Sequence, residues 1–377
     1  MNTTAEDSEK LTHSQAPWSS LVGLLEWSTE VYDSPGPREF RRKLVRAGFG
    51  RFRARLDPIM DRPRLERILQ LLELAGLDET LQRTGIAEYL LGYRPGLESH
   101  IFAALEREAE FVGFPVEERP GVGPMFMEHD LWDCGQLRFL RQGQAHGATL
   151  EVHGGIRFSD DGPILRKGLG GDLILGSPFE PFTPAERMRV VWRVDRALSL
   201  IAEVPSPTRR YVPECVDLIF ARKFGDGQSV HSNSRTGRIG WIFLGNPHID
   251  ACSVGKVVEM ILHEGLHHDL ALREYQVPFL TEDCPTADRM MPSPWTGDLV
   301  SERNLSHAIL VWFGLACFFE RYGNQGELAG FTDQRLSFYR AGFTKGNLAR
   351  NFESPSHVHP CYLELLDRIQ ERALSWP

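Results

Sequence analysis

The chain has 377 residues, of which 42% are hydrophobic and 25% charged, with a formal net charge of -9 at pH 7. This is ordinary globular composition, and the length suffices for one large or two smaller domains. The acidic balance argues against nucleic-acid binding over the whole molecule. No apolar run approaches the roughly 18 residues of a membrane helix, and the polar N-terminus lacks a signal-peptide pattern. The sequence therefore predicts a cytoplasmic protein without a membrane partner.

The N-terminal part of the chain is predicted to be helical. Residues 1–16 are polar and without periodicity, which predicts a disordered tail. From residue 17 to 111 apolar residues recur at spacings of three and four, as in LERILQLLELAGL, which indicates helices. The arginines of the basic stretch 38–56 fit a solvated helix face, and docking of an acidic partner chain is the alternative.

Residues 112–377 are predicted to form an α+β metal-binding catalytic domain. Short alternating runs up to residue 176 suggest strands and hairpins. A helix over 183–204 begins with Thr183 as cap and Glu186 three residues later. Two further strand candidates, CVDLIFARK and RIGWIFLG, precede helices predicted over 251–273 and 301–322. The predicted fold is thus α+β, with the helical N-terminal region packed on a mixed domain that carries the active-site helix.

The segment His263-Glu264-Gly265-Leu266-His267 carries the strongest chemical signal. Residues four apart on a helix lie about 40° from each other, so the two histidines can share one ion. Neutral imidazoles suit zinc, iron, nickel or copper rather than magnesium or calcium. An apolar face formed by valine, isoleucine and leucine residues between 254 and 262 lies opposite the histidines, whereas a buried structural histidine pair is the alternative interpretation.

A third protein ligand has two candidates, Glu302 and His307, in the helix that begins near residue 301. They lie about 140° apart on that helix, so one of them is expected to face the metal. His307 shares a stripe with Leu310, Val311 and Phe318, which predicts that it points inward. A histidine on such a stripe can also be a core residue. His268 is expected to be a neighbour of the metal site that hydrogen-bonds rather than ligates.

Three segments together resemble the HEXXH-motif family of peptide-modification proteins from bacterial natural-product clusters. They are HSNSRTGRIGWIFLGNP, VVEMILHEGLHH and SPWTGDLVSERNLSHAILVWFGLACFF. The similarity covers about residues 232–319, with Pro294-Trp295 and a histidine twelve residues after the tryptophan as its main matches beside the motif. The resemblance implies an iron(II)- and 2-oxoglutarate-dependent hydroxylase of an amino acid side chain, either free, carrier-bound or in a peptide. It also implies iron ligands at His263, His267 and His307.

The sequence departs from the family pattern at the positions that would supply a cation for the distal carboxylate of 2-oxoglutarate. The two arginines of the family loop fall on Thr296 and Val300. An unpaired carboxylate in a dry pocket is costly, so another cation must serve. The sequence offers Arg303, Arg235 and Arg238 as candidates.

Two other function classes stay open. In a zinc-dependent peptidase or other hydrolase, Glu264 is the general base for a metal-bound water, with Glu302 as third ligand. A binding protein with a structural metal site is the third class. The sequence leaves open the substrate, the carbon attacked and the oligomeric state.

Overall fold

The computed structural model describes most of the chain. The described residues are 21–27, 36–56, 61–73, 81, 84–91, 93, 95–113, 131–133, 138–141, 144–148, 150–160, 180–205, 208–223, 227, 229–234, 239–280, 290–324, 326–349, 352 and 358–376. The predicted tail 1–16, the glycine-rich segment 168–176, Arg235 and Arg238 lie outside them.

The α-helices and β-strands follow one another along the whole described chain. The helices are α1 Leu21–Leu25, α2 Pro37–Arg55, α3 Asp61–Glu73, α4 Thr84–Leu91, α5 Glu98–Gly113, α6 Pro184–Glu203, α7 Thr208–Cys215, α8 Val254–Glu274, α9 Glu302–Tyr322, α10 Ala329–Phe343 and α11 Pro360–Leu374. The strands are β1 Leu131–Asp133, β2 Arg138–Arg141, β3 Gln144–Ala148, β4 Leu150–Glu151, β5 Arg157–Ser159, β6 Leu218–Arg222, β7 His231–Ser234, β8 Trp241–Gly245, β9 Met290–Pro292 and β10 Leu299–Ser301.

The α+β fold class predicted from the sequence is confirmed, since helices predominate and the largest sheet is mixed. That sheet has the order β4-β5-β6-β8-β7. Its central strands β5, β6 and β8 are parallel, whereas β4 and β7 pair antiparallel at the two edges. Strands β6 and β8 are buried at every residue, which explains why they read as continuous apolar runs in the sequence. No helix in the described residues is long and apolar enough to cross a membrane.

The chain divides into two compact units. One, here called the sheet unit, consists of Pro35–Glu203 and Arg209–Tyr275; the other, the terminal unit, consists of Met1–Ser34, Val204–Thr208 and Gln276–Pro377. The helices α2 to α6 and α8 belong to the sheet unit, and α1 and α9 to α11 to the terminal unit. The predicted boundaries after residues 16 and 111 stay predictions.

Helix α8 is the central helix of the sheet unit. It packs against α6, α2, β7 and β8. Near its C-terminal end, Ala271 and Leu272 join the apolar cluster formed by the helices between residues 37 and 113. The helical N-terminal region of this unit therefore packs on the helix that carries the histidine motif, as the sequence predicts.

The basic stretch 38–56 corresponds to α2, and two of its arginines are bound inside the sheet unit. Arg38 and Arg41 both pair with Asp217, with nitrogen–oxygen distances of 3.2 and 3.0 Å. Arg41 is buried. The prediction of a solvated arginine face thus fails for Arg41, which the helix turns towards the residue that precedes β6, whereas Arg38 stays exposed.

Helix α6 begins with the predicted capping box. The Thr183 amide donates to Glu186 Oε2 at 2.7 Å, and the Glu186 amide donates to Thr183 Oγ1 at 3.3 Å. Lys223 pairs with the same carboxylate at 2.8 Å. Burial alone raises the pKa of Glu186, but the hydrogen bonds from Lys223 and Thr183 outweigh it and lower the pKa to about 2. The charged carboxylate therefore links the start of α6 to the residue after β6.

The terminal unit is built around α9, whose apolar stripe is buried as the sequence predicts. The Trp27 indole nitrogen donates to the Gly314 carbonyl at 2.7 Å, which ties the segment after α1 to α9. Trp295, from the segment that resembles the HEXXH family, is buried and donates to the Tyr339 carbonyl of α10 at 2.8 Å. Trp295 thus anchors the turn between β9 and β10 on α10.

Gly342 of α10 is expected to be intolerant of a side chain, because a Cβ there would overlap the Trp295 indole ring. We expect Gly342→Ala to lower the free energy of unfolding by roughly 1–3 kcal/mol, measured by urea denaturation. Gly330→Ala, in the same helix, is the matched control: no atom lies within 4 Å of a Cβ there, so it should be neutral or slightly stabilising. Equal stability of the two variants would contradict the tight Trp295 contact.

Candidate metal centre

The histidine motif lies in the middle of α8, a long helix with a well-defined start. Ser253 is its N-cap, and the Ser253 hydroxyl accepts a hydrogen bond from the Lys256 amide at 3.1 Å. The apolar face is fully buried, with Val257, Val258 and Ile261 at 0% exposure. Burial of this face fixes the rotation of the helix, and with it the direction in which the histidines project.

One narrow stripe of α8 stays open to solvent. Apart from the two ends of the helix, every residue of α8 is buried except Lys256, His263 and His267. At 100° per residue these three, with Glu274 near the end, lie within about 40° of each other. We call Lys256, His263, His267 and Glu274 the open stripe of α8. The motif histidines therefore share the one face of this helix that a ligand can reach.

The two histidines converge on one point. Their Nε2 atoms are 3.1 Å apart, and the ring centroids are 4.8 Å apart with the planes inclined by 63°. With metal–nitrogen distances of about 2.1 Å, this separation corresponds to a nitrogen–metal–nitrogen angle of roughly 95°, which suits a first-row transition metal. The pair therefore fits two adjacent coordination positions of one ion.

Among the described residues, no group of three histidine, cysteine, aspartate or glutamate side chains is placed to hold a metal ion. The structure thus brings together two of the predicted ligands, His263 and His267, in the sheet unit. The third ligand stays a prediction.

The Glu264 carboxylate is hydrogen-bonded to two residues of strand β7. Its Oε1 accepts a hydrogen bond from the Ser232 hydroxyl at 2.6 Å, and its Oε2 accepts one from the Ser234 hydroxyl at 2.5 Å. The two serines are two residues apart on a strand and so point to the same side of the sheet, towards α8. Glu264 is only 3% exposed. Each carboxylate oxygen thus has a hydroxyl partner, and the carboxylate joins the edge strand to the helix beside the histidine pair.

His268 is a structural residue of the sheet unit. Its ring is buried, with Nδ1 3.4 Å from the Gly240 amide and Nε2 3.2 Å from the Trp241 carbonyl. Burial lowers the pKa of His268 to about 4, so the imidazole is neutral at pH 7. Both ring nitrogens of His268 thus face the backbone at the start of β8, so its contacts join α8 to β8 rather than orienting the motif histidines.

The two candidates for the third ligand lie on α9 in the terminal unit. Glu302 and His307 are both buried, at 2% and 5% exposure, so burial does not distinguish them. The His307 ring packs edge-on against Phe279, with ring centroids 5.3 Å apart. His307 thus points inward, as predicted. Its contact with Phe279 is one that a core histidine makes without binding a metal.

The three arginines proposed for the co-substrate carboxylate receive little support from their positions. Arg303 is exposed on the first turn of α9, and Arg235 and Arg238 lie outside the described residues. Their roles stay predictions.

Comparison with known proteins adds no assignment: no protein-family model matches the chain, and no curated protein matches it. The resemblance to the HEXXH-motif family therefore rests on the motif residues alone.

Sequence reasoning missed three residues around the motif. Ser232 and Ser234, the partners of Glu264, are signalled only by their alternation in His231-Ser232-Asn233-Ser234, a period-two pattern typical of one strand face. Lys256 lies seven residues before His263, and this spacing places it on the same face of a helix. Both patterns are present in the sequence, but the role of these residues can be inferred only once β7 and the open stripe of α8 are known.

Proposed function

We propose that the chain is an iron(II)- and 2-oxoglutarate-dependent oxygenase that hydroxylates an amino acid side chain, free, carrier-bound or in a peptide. His263 and His267 hold the metal in this proposal, and His307 is the expected third ligand. The observation that carries it is the pairing of both Glu264 oxygens with serine hydroxyls. This pairing gives the motif glutamate a positioning task, whereas a hydrolase requires the same carboxylate to take a proton from a metal-bound water.

The histidine pair could bind a metal if both rings adopt the same tautomer. Both Nε2 lone pairs must point at the ion, so each ring must carry its proton on Nδ1. The two Nε2 atoms lie 3.1 Å apart, so one ion could contact both rings once each carries its proton on Nδ1. Metal affinity is therefore expected to fall as the pH is lowered and the imidazoles become protonated.

The chain contributes the positioning of the two ligands. Glu264, hydrogen-bonded to β7, and the buried faces of α8 hold the helix so that both histidines project from its open stripe. When bound, iron(II) and 2-oxoglutarate supply the activation of dioxygen that converts a C–H bond into C–OH, with succinate and carbon dioxide as co-products. Reactions of this kind require orientation of the substrate and protection from solvent.

Hydrolysis by a zinc enzyme is the second candidate, because the His-Glu-x-x-His spacing is intact and the glutamate lies beside the pair. A carboxylate oxygen has two lone pairs, but in a hydrolase Glu264 would have to take the proton while both of its oxygens still accept hydrogen bonds from the serine hydroxyls. The two proposals differ in the metal and in the co-substrate that they require.

The test is co-substrate turnover. Iron-loaded protein supplied with oxygen and 2-oxoglutarate is expected to form succinate, even by slow turnover without the natural substrate, and zinc-loaded protein is expected to form none. Succinate is measured by mass spectrometry against a reaction without 2-oxoglutarate. Failure of iron-loaded protein to bind or consume 2-oxoglutarate, with peptide cleavage by the zinc form, would establish the hydrolase instead. Stoichiometric metal without either reaction would identify a binding protein.

A further inference from the structure

Helix α2 has an exposed face that is almost entirely cationic. Its sequence PREFRRKLVRAGFGRFRAR holds eight arginine or lysine residues and one carboxylate, Glu39, in a chain whose formal net charge is -9. Arg38 and Arg41 pair with Asp217. The other six cations are exposed, and they are Arg42, Lys43, Arg46, Arg51, Arg53 and Arg55. One helix of an acidic protein thus concentrates positive charge at the surface.

The charges on this face repel one another. An ordinary solvated helix face carries both signs of charge, so that neighbours one turn apart attract. On α2, Arg42 and Arg46 are four residues apart, and so are Arg51 and Arg55; like charges at this spacing destabilise a helix. The Glu39 carboxylate is already paired with Lys43 at 2.9 Å. The repulsion is therefore relieved by carboxylates that the helix itself does not supply.

The exposed arginines lie in two rows along α2. At 100° per residue, Arg42, Arg46 and Arg53 lie within about 40° of each other. Arg51 and Arg55, also about 40° apart, lie on the opposite side of the exposed face. Three small residues separate the rows, and they are Ala47, Gly50 and Ala54, all exposed. We call the two arginine rows and the small residues between them the basic face of α2.

The small residues let another backbone approach between the two rows. No atom lies within 4 Å of a Cβ built on Gly50. Ala47 and Ala54 are three and four residues from Gly50 on the same side of the helix, so the low strip is about two turns long. Helix axes pack about 8–10 Å apart, and the distance depends on the side chains at the contact. A helix seated on this strip has an arginine row on each flank.

We infer that the basic face of α2 docks an acidic α-helical segment of a partner protein. The backbone of that segment lies against Gly50, and its aspartate and glutamate side chains reach the arginine rows on both flanks. Arginine suits this contact, because its planar guanidinium donates to a carboxylate through two parallel hydrogen bonds. This interaction is independent of the proposed metal centre and of the reaction proposed for it.

Charge and surface chemistry favour an acidic polypeptide over other anionic partners. The net charge of -9 opposes binding to nucleic acid, which presents a long and uniform row of phosphates. Binding to a membrane surface requires large apolar side chains beside the cations. Among the described residues, none of the large apolar side chains that are exposed lies on α2. A short acidic segment matches the local patch without facing the acidic remainder of the surface.

The experiment measures binding of an acidic helix by fluorescence anisotropy. The probe is a labelled, alanine-based helical peptide of about 18 residues with two rows of glutamate on either side of an alanine strip. Because a single helix face forms the contact, we expect a Kd of about 1–100 µM at low salt that rises as salt screens the charges. The same peptide with glutamine in place of every glutamate should bind at least about tenfold more weakly.

A triple variant tests the arginine rows. It carries Arg42→Gln, Arg51→Gln and Arg53→Gln, and it should bind the glutamate peptide at least about tenfold more weakly than wild type. The matched control carries Arg62→Gln, Arg67→Gln and Arg368→Gln, at exposed arginines of α3 and α11. It loses the same net charge and should bind within about twofold of wild type. All six side chains are exposed, so circular dichroism should show unchanged folding.

Gly50→Leu tests the strip of small residues without changing any charge. The open space at this position and the better helix propensity of leucine leave the fold intact. The leucine side chain stands where the partner backbone lies, so binding should again weaken by at least about tenfold.

Four outcomes would overturn the inference. Wild type that does not bind the glutamate peptide would refute it directly. Unchanged binding by Gly50→Leu would show that the face only attracts anions, without docking a helix. Equal weakening by the two triple variants would assign the effect to net charge. A single-stranded oligonucleotide and phosphatidylserine vesicles are measured beside the peptide, and tighter binding of either would make nucleic acid or a membrane the partner instead.

Discussion

Replacing His263 or His267 by alanine is expected to lower metal affinity by more than about 100-fold, because even the loss of a residue that only orients a ligand costs about 10- to 100-fold. Activity should disappear with the metal. Both side chains are partly exposed on the open stripe of α8, so their removal opens no cavity in the main core, and folding should persist. Metal content by mass spectrometry, together with circular dichroism, checks both parts of the expectation.

His100→Ala is the matched control for these variants. His100 is an exposed histidine on α5 of the same unit, and its removal should change neither the metal content nor the fold. A variant of His263 or His267 that retains full metal content would refute the proposed centre. Unfolding of both variants at normal metal supply would assign the pair to a structural site.

Glu264 is expected to contribute chiefly to stability and ligand orientation. Glu264→Ala leaves the Ser232 and Ser234 hydroxyls without their acceptor, and hydrogen bonds to charged groups contribute about 1.5–3 kcal/mol each. The expected loss in the free energy of unfolding is therefore about 3–6 kcal/mol, measured by urea denaturation. Glu264→Gln, which retains shape and one acceptor, should lose less stability and keep the metal.

The rate of Glu264→Gln separates the two enzyme classes. In a hydrolase, loss of the general base should lower kcat by roughly a hundred- to ten-thousandfold with the metal in place. In the oxygenase that we propose, the loss should stay well below a hundredfold, since no water is activated.

A double-mutant comparison tests the Glu264 contacts directly. Stability losses from mutations within one hydrogen-bond network do not add. The triple variant, with Glu264, Ser232 and Ser234 all replaced by alanine, should therefore lose clearly less stability than Glu264→Ala and the double serine variant lose together. Additive losses would contradict the pairing of Glu264 with β7 and remove the main support for the oxygenase proposal.

The sequence by itself determined the elements that have strong local signals. Helices α8 and α9 are observed within three residues of their predicted bounds, 251–273 and 301–322, because a capping serine and a sustained apolar stripe are local features. The α6 capping box, the buried runs of β6 and β8 and the pairing of His263 with His267 follow from the same short-range geometry. A helix fixes the direction of its side chains relative to one another, so a spacing of four suffices to bring two histidines together.

Only the tertiary structure decided what those side chains contact. Nothing in the local sequence says that Glu264 binds Ser232 and Ser234, which precede it by 32 and 30 residues, because that contact depends on the register of β7 against β8 and on the packing of α8 beneath the sheet. Arg41 likewise has the spacing of a solvated face and yet is buried against Asp217. Periodicity tells which residues share a face, whereas the partner of that face is set by contacts between distant segments.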